Sequence, residues 1–278
     1  MYSVIIPTYK RHADLFKCLE CLSEYFSPDG SGDALGGVEV IISDDARENE
    51  LKELLATSFP WVRYFEGPSR GPAANRNNGA AQAKGEWLVF TDDDCLPGKG
   101  WLHSFHRFAK DAAVLEGQTI ADRPRERLDE ESPTNSGGYL WSCNFAIKKS
   151  SFDSLGGFDE NFPFAAMEDM DLKKRIDDAR IGILYVPEAV VVHPWRRSQG
   201  IAIWRKRQAS EFYFMKKHNS WAPASLPRHY AYLGLRSLAR ITLPGAIRYR
   251  GRGLTSAIAH DAWLMSQSLR FLISRPAD

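Results

Sequence analysis

Two apolar runs in this chain stop at clustered carboxylates, and that limits what it can fold into. "VEVIIS" (38–43) runs into Asp44 and Asp45, and "EWLVF" (86–90) runs through Thr91 into Asp92, Asp93 and Asp94. Short apolar runs rich in β-branched and aromatic residues read as buried strands. Adjacent like charges repel, and three of them where a strand leaves a core are costly. Either they form a solvated turn, or something cationic belongs among them.

The neighbouring segments supply a frame. "SVIIP" (3–7) and "VRYFEG" (62–67) read as two further strands. Residues 13–26 repeat Leu15, Cys18, Leu19, Leu22 and Phe26 at helical spacing, 48–58 suggest a short helix, and "PAANRNNGAAQAKG" (72–85) a helix of small residues capped by Gly85. A Gly/Asp/Ser-rich loop occupies 27–37, and the charged, aperiodic stretch 122–138 reads as a mobile surface loop. Alternating strands and helices predict an α/β fold with a mostly parallel, doubly wound sheet flanked by helices. In such sheets ligands sit beyond the carboxyl ends of the strands. Both aspartate clusters fall there, which favours one shared site over two unrelated turns.

Beyond His193 the texture changes to helical segments near 200–218, 226–242 and 254–274, a C-terminal helical appendage. Charge changes with it. Up to Pro194 there are 21 Lys+Arg against 32 Asp+Glu; from Trp195 onward there are 15 against 3, a net of +12. The division therefore falls into 1–195, an acidic α/β part that carries the ligand site, and 196–278, a basic, aromatic-rich helical region.

Several classes are excluded or disfavoured. Val4–Ile6 is too short for a signal-peptide core, and no apolar run approaches the roughly 20 residues of a spanning helix, so a cytoplasmic location is expected. Cys18 and Cys21 form a lone C-x-x-C with no second pair to complete a zinc site, and read as small apolar helix residues. Neither an EF-hand loop nor a phosphate-binding G-x-x-x-x-G-K-[ST] loop occurs. The strand-end carboxylates can instead hold a hard divalent cation, Mn²⁺ or Mg²⁺, and through it a diphosphate.

"SVIIPTYKR", "VIISDDA", "GPAANRNNGAAQAKGEWLVFTDDDCLP", "LGGFDENF" and "EDMDLKKRI" stand in the order and spacing of family 2 glycosyltransferases, which this chain resembles over about residues 1–195. The resemblance implies the GT-A (Rossmann-like) fold and inverting, metal-dependent transfer from a nucleotide-sugar, a UDP-sugar by the commoner pattern, to a glycan or lipid-linked acceptor. It implies that Pro7, Thr8 and Tyr9 line the nucleotide pocket and that Asp44 accepts a hydrogen bond from the base. Arg76 would lie beside the nucleotide, and Asp92, with Asp93 next to it, would face the ribose. Asp94 and His193 would hold the metal, and Asp169 would be the catalytic base. Trp141, Asn144, Asp159 and Glu168 would border the acceptor. Where the family often continues "DDGS", this chain has "DDAR", so Ala46 and Arg47 depart from the pattern at the base-binding end.

Elementary chemistry agrees with these roles. Glycosyl transfer needs a departing diphosphate whose charge is neutralised and a base for the acceptor proton. Competing readings remain. Glu168, Asp169 and Asp171 open a helix, where acids favour the positive dipole end. A nucleotide-sugar-binding module without catalysis would share most of these residues. The basic tail suits the headgroups of an anionic membrane, at the inner face of which the protein would be peripheral. Equally, its aromatics can pack helices while its arginines offset acidity elsewhere. Nucleic acid is disfavoured, since no recognition motif accompanies the charge.

Overall fold

The computed structural model describes residues 1–26, 32–220 and 222–273. Residues 27–31 of the Gly-rich loop, Trp221 and residues 274–278 lie outside the described residues. The chain opens with β1 (Tyr2–Thr8), α1 (His12–Leu22), β2 (Val38–Asp44), α2 (Asn49–Ser58), β3 (Val62–Glu66), α3 (Pro72–Ala81) and β4 (Trp87–Phe90). It continues through β5 (Leu96–Pro97), α4 (Trp101–Arg107), β6 (Val114–Ala121), β7 (Glu130–Glu131), β8 (Phe145–Lys148), α5 (Lys149–Ser154), α6 (Glu168–Asp178) and β9 (Ile183–His193). The last elements are β10 (Arg196–Arg197), α7 (Ile201–Lys217), α8 (Leu226–Ser237), α9 (Leu243–Arg248) and α10 (Leu254–Ile273).

Among the described residues eight strands form one sheet in the order β3-β2-β1-β4-β8-β6-β9-β5. β3, β2, β1 and β4 run parallel, β8 is antiparallel between β4 and β6, β9 is parallel to β6, and β5 is antiparallel to β9. The apolar runs are buried on both faces, as parallel strands between helical layers must be. Val4 and Ile6 pack with Leu15, Leu19 and Leu22 of α1, whereas Ile5 joins Leu88, Phe90 and Leu172 on the other side. Phe90 anchors that second layer, with ring centroids 4.9 Å from Phe145 and 5.3 Å from both Phe152 and Phe158. Truncating it to alanine would cost about 3–5 kcal/mol.

Two details depart from the sequence reading. α3 ends at Ala81 with Gln82 in a right-handed conformation, so Gly85 is not its cap. Gly85 instead donates its N–H to Ser3 Oγ at 2.8 Å, and a Cβ there would lie 2.6 Å from that oxygen. Close backbone approach to β1, not helix termination, fixes this glycine. The stretch 122–138 is also tied down at both ends. Glu116 accepts hydrogen bonds from the backbone N–H groups of Gly138, Tyr139 and Leu140, and Glu130 from those of Glu126 and Arg127. Buried carboxylates, one within the stretch and one upstream on β6, hold what its composition reads as free.

The chain divides into two compact units. One comprises Met1–Asp122 and Pro133–Pro194, and the other Arg123–Ser132 and Trp195–Asp278. In the second, β7 pairs antiparallel with β10, Leu128 N–H donates to Arg252 O at 3.0 Å, and Ser198 N–H donates to Asp129 O at 2.7 Å. Its helices have their own core, in which Trp204, Tyr230, Trp263 and Phe271 are buried with Leu226 and Leu264. Those aromatics therefore pack helices. No helix among the described residues is long and apolar enough to cross a membrane.

Candidate active site

The site lies in the first unit, where β1, β2 and β4 exit the core. Parallel register sets Thr8 beside Asp44 and brings the end of β4 alongside β1. Asp44 is fully buried. Its Oδ1 accepts from Ala46 N–H at 2.9 Å, and its Oδ2 from Glu48 N–H at 2.9 Å and the Tyr64 hydroxyl at 3.0 Å. Each carboxylate oxygen can accept twice, so Oδ1 keeps capacity for another donor. Asp45 accepts from the N–H groups of Ser69 and Gly71 and so shapes the loop entering α3; burial pushes its carboxyl up.

Four consecutive side chains of α3 radiate from this point. Asn75 donates to Ser43 O at 2.8 Å, Asn77 to Phe158 O and Glu160 at 2.8 Å, and Asn78 to Ser43 Oγ at 2.7 Å. Arg76, almost completely buried, donates from Nη2 to Asp92 Oδ1 at 2.7 Å and from Nη1 to Glu168 Oε1 at 3.4 Å. The guanidinium expected to lie beside the nucleotide is thus engaged by two carboxylates, joining the aspartate cluster to the start of α6.

The triple aspartate is not a solvated turn. Asp93 accepts from Thr8 Oγ1 at 2.9 Å and from Arg11 Nη1 at 3.1 Å, and burial raises its carboxyl to about 6. The same Arg11 nitrogen reaches Asp94 Oδ2 at 3.2 Å. Sequence reading missed Arg11, although its place just after β1, the strand paired with β4, was a usable signal. Tyr9 is exposed, with Lys10 Nζ 5.5 Å from its ring centroid. Pro7 is buried in β1.

Asp94 and His193 come together from separate strand ends. His193 Nδ1 lies 2.8 Å from Pro194 O. A carbonyl only accepts, so Nδ1 carries a proton, and in the neutral ring Nε2 keeps the lone pair. Nε2 faces Asp94 Oδ1 at 3.8 Å. Two ligands each about 2.1 Å from one divalent ion stand about 3–4 Å apart, so the pair fits such an ion. Cys95 Sγ is within 4.8 Å of both donor atoms, but it belongs to the apolar core and burial holds its thiol protonated.

At the entrance to α6, Met167 has a left-handed φ of 75°, which turns the chain so that Glu168 is buried and Asp169 half-buried. Burial, and then the charge of Asp169, lifts the Glu168 carboxyl to about 7; burial also raises Asp169, while Arg76 opposes both shifts. A half-buried carboxylate whose pKa is raised is a stronger base than an ordinary aspartate. Of the residues expected at the acceptor, Trp141 is half-buried and stacked on Tyr139 at 5.2 Å, and Asp159 accepts from Asn161 N–H at 2.9 Å. Asn144 is spent on the fold. It accepts from Trp101 Nε1 at 2.9 Å and donates to Gln118 O at 2.8 Å and Ala189 O at 2.9 Å.

A mostly parallel sheet between helices, with carboxylates gathered at its strand ends, defines the GT-A class of glycosyltransferase fold. A mannosyltransferase from Pyrobaculum calidifontis, solved in complex with GDP-Man and Mn2+, superimposes with a TM-score of 0.62 at 20% identity, covering 98% of this chain and 86% of that one. The model of glycosyl transferase family 2 matches residues 3–174, and the chain belongs to that family. It is 30% identical over 186 residues to an uncharacterized glycosyltransferase of Haemophilus influenzae, covering 62% of this chain and 60% of the relative. It is 33% identical over 178 residues to the GalNAc(5)-diNAcBac-PP-undecaprenol beta-1,3-glucosyltransferase of Campylobacter jejuni, covering 58% and 55%. The matches thus span little more than half of those relatives.

Proposed function

We propose that the protein is an inverting glycosyltransferase that moves a sugar from a nucleotide-diphosphate donor, a UDP-sugar, to an acceptor hydroxyl. The observation that carries this reading is the Arg76 bridge, which ties Asp92 to Glu168 and so links Asp169 to the cluster containing Asp94. Asp169 takes the acceptor proton as the acceptor oxygen attacks the anomeric carbon. The bond from that carbon to the diphosphate oxygen breaks on the opposite face, so one displacement inverts the centre without a covalent nucleophile. Pro7, Thr8, Tyr9 and Asp44 line the nucleotide, with Asp92 towards the ribose and Trp141 and Asp159 on the acceptor side. Asp94 and His193 would hold Mn²⁺ or Mg²⁺, which when bound neutralises charge on the departing diphosphate, and the imidazole favours Mn²⁺.

A lipid-linked or cell-envelope glycan as acceptor, met at an anionic membrane surface, completes the proposal. It is supported by the net +12 of the C-terminal stretch and by the undecaprenol-linked glycan in the Campylobacter relative's name. Donor hydrolysis across a panel of nucleotide-sugars with Mn²⁺ tests the enzymatic reading. Asp169→Asn should lower turnover by about 10²–10⁴ while nucleotide binding by calorimetry persists. Undiminished turnover would remove Asp169 from its role, and no turnover of any donor by the parent protein would leave a binding module.

A further inference from the structure

In the second unit, α10 packs antiparallel to α8 and against the helical turn Leu238–Thr242 that follows it. Ser268 Oγ donates to Pro227 O at 2.7 Å, Thr242 Oγ1 donates to Asp261 Oδ2 at 2.7 Å, and Met265 lies over Gly234, where a Cβ would stand 2.9 Å from its sulfur. The inner side of α10 is buried through Trp263, Leu264 and Phe271. Its outer side is not polar. Ile258, Ala262, Met265, Leu269 and Leu272 recur at alternating four- and three-residue steps, one stripe along the helix, and all are exposed. Leu269 and Leu272 are 61% and 63% exposed. Leu235 on α8 and Leu238 just beyond its end, 57% and 38% exposed, lie within four residues of Gly234 and continue the apolar surface across the pair. An apolar surface shared by two helices marks a binding face.

Charge decides what binds. Between residues 222 and 273 there are seven arginines, from Arg228 to Arg270, all exposed, and no lysine. The only acid in that stretch is Asp261, which is buried and bonded to Thr242. A second copy meeting the same face would bring together two stretches that each carry seven exposed arginines and no exposed acid, because a two-fold interface sets each surface against itself. Nucleic acid would answer the arginines and leave the leucines without a role. A bilayer with anionic headgroups answers both, since aliphatic side chains enter the acyl boundary and guanidiniums lie at the phosphates.

We propose that the outer face of the α8–α10 pair docks in the plane of an anionic phospholipid membrane, with Leu235 and Leu269 as its principal apolar anchors. This deepens the membrane-surface reading above and rests on it. The test is flotation with vesicles of mixed phosphatidylcholine and phosphatidylglycerol, against phosphatidylcholine alone, at low and high salt. The intact protein should float with the anionic vesicles only, less so at high salt. Leu235→Glu with Leu269→Glu should reduce binding by about tenfold or more, a loss of at least 1.4 kcal/mol. Both positions are exposed, so the melting temperature of the variant should match the parent. Parent and variant floating equally would overturn this face while leaving membrane association standing. A parent that ignores anionic vesicles would overturn both, and a parent dimer that the variant dissociates in gel filtration without vesicles would assign the face to a second copy.

Discussion

Arg76 Nη2 meets Asp92 Oδ1 at 2.7 Å inside the protein, and the other arm of the guanidinium reaches Glu168. Two motifs far apart in sequence therefore share one cation. Both Arg76 and Glu168 are largely buried, so the bridge contributes little net stability but is expensive to break. Arg76→Ala should cost about 3–5 kcal/mol in urea unfolding, because two buried carboxylates then lack their counter-charge. Arg76→Lys should recover only part, since a point charge cannot serve both oxygens as the fork does. A loss below about 1 kcal/mol for the alanine variant would contradict the bridge.

Glu168 makes stability depend on pH. Its carboxyl is raised to about 7 from an ordinary 4.5, so the folded protein binds that proton more tightly than the unfolded chain. This contribution is complete at low pH and is lost as pH rises through that window. Glu168→Gln removes it. The variant's melting temperature should fall less than that of the parent between about pH 5 and about pH 8. Parallel curves would show that Glu168 titrates normally.

His193 bears on the metal. With Nδ1 committed to Pro194 O, only Nε2 is presented to an ion shared with Asp94. His193→Ala should weaken Mn²⁺ binding by at least about tenfold in a titration followed by electron paramagnetic resonance. Unchanged Mn²⁺ affinity would take His193 out of the ligand set.

Asn144 separates an acceptor group from a structural one. Asn144→Ala would leave the Trp101 indole N–H and the carbonyls of Gln118 and Ala189 without this partner, at a cost of about 2–4 kcal/mol. The Michaelis constant for acceptor, measured on the folded fraction, should not change. A raised constant at unchanged stability would restore Asn144 to the acceptor side.

The sequence made the parallel half of the sheet readable because β1, β2 and β4 are apolar runs ending at turns or carboxylates, a pattern set locally by burial. It did not reveal β8, whose four residues carry no period of their own and are defined by the strands on either side. The aspartates at 92–94 stood out because three like charges at a strand exit demand an explanation. Their partners did not, because Thr8, Arg11 and Arg76 approach only after the strands align and α3 packs. Asn144 misled for a related reason. A buried asparagine and an exposed one are the same letter, and only the Trp101 indole and two carbonyls distinguish them.

The second unit borrows residues 123–132 from upstream of β9, with a consequence for synthesis. On the ribosome Glu130 and Glu131 emerge while Arg196 and Arg197 are still untranslated, so this ribbon has to wait for its mate. Leu128 waits with it, since Gly245 and Arg252, which cover its side chain and accept its amide proton, come later still. A message cut short just after His193 would yield every strand of the large sheet and still release a sticky, half-clothed segment. Cells would meet that product as a substrate for chaperones and proteases, not as a smaller working enzyme.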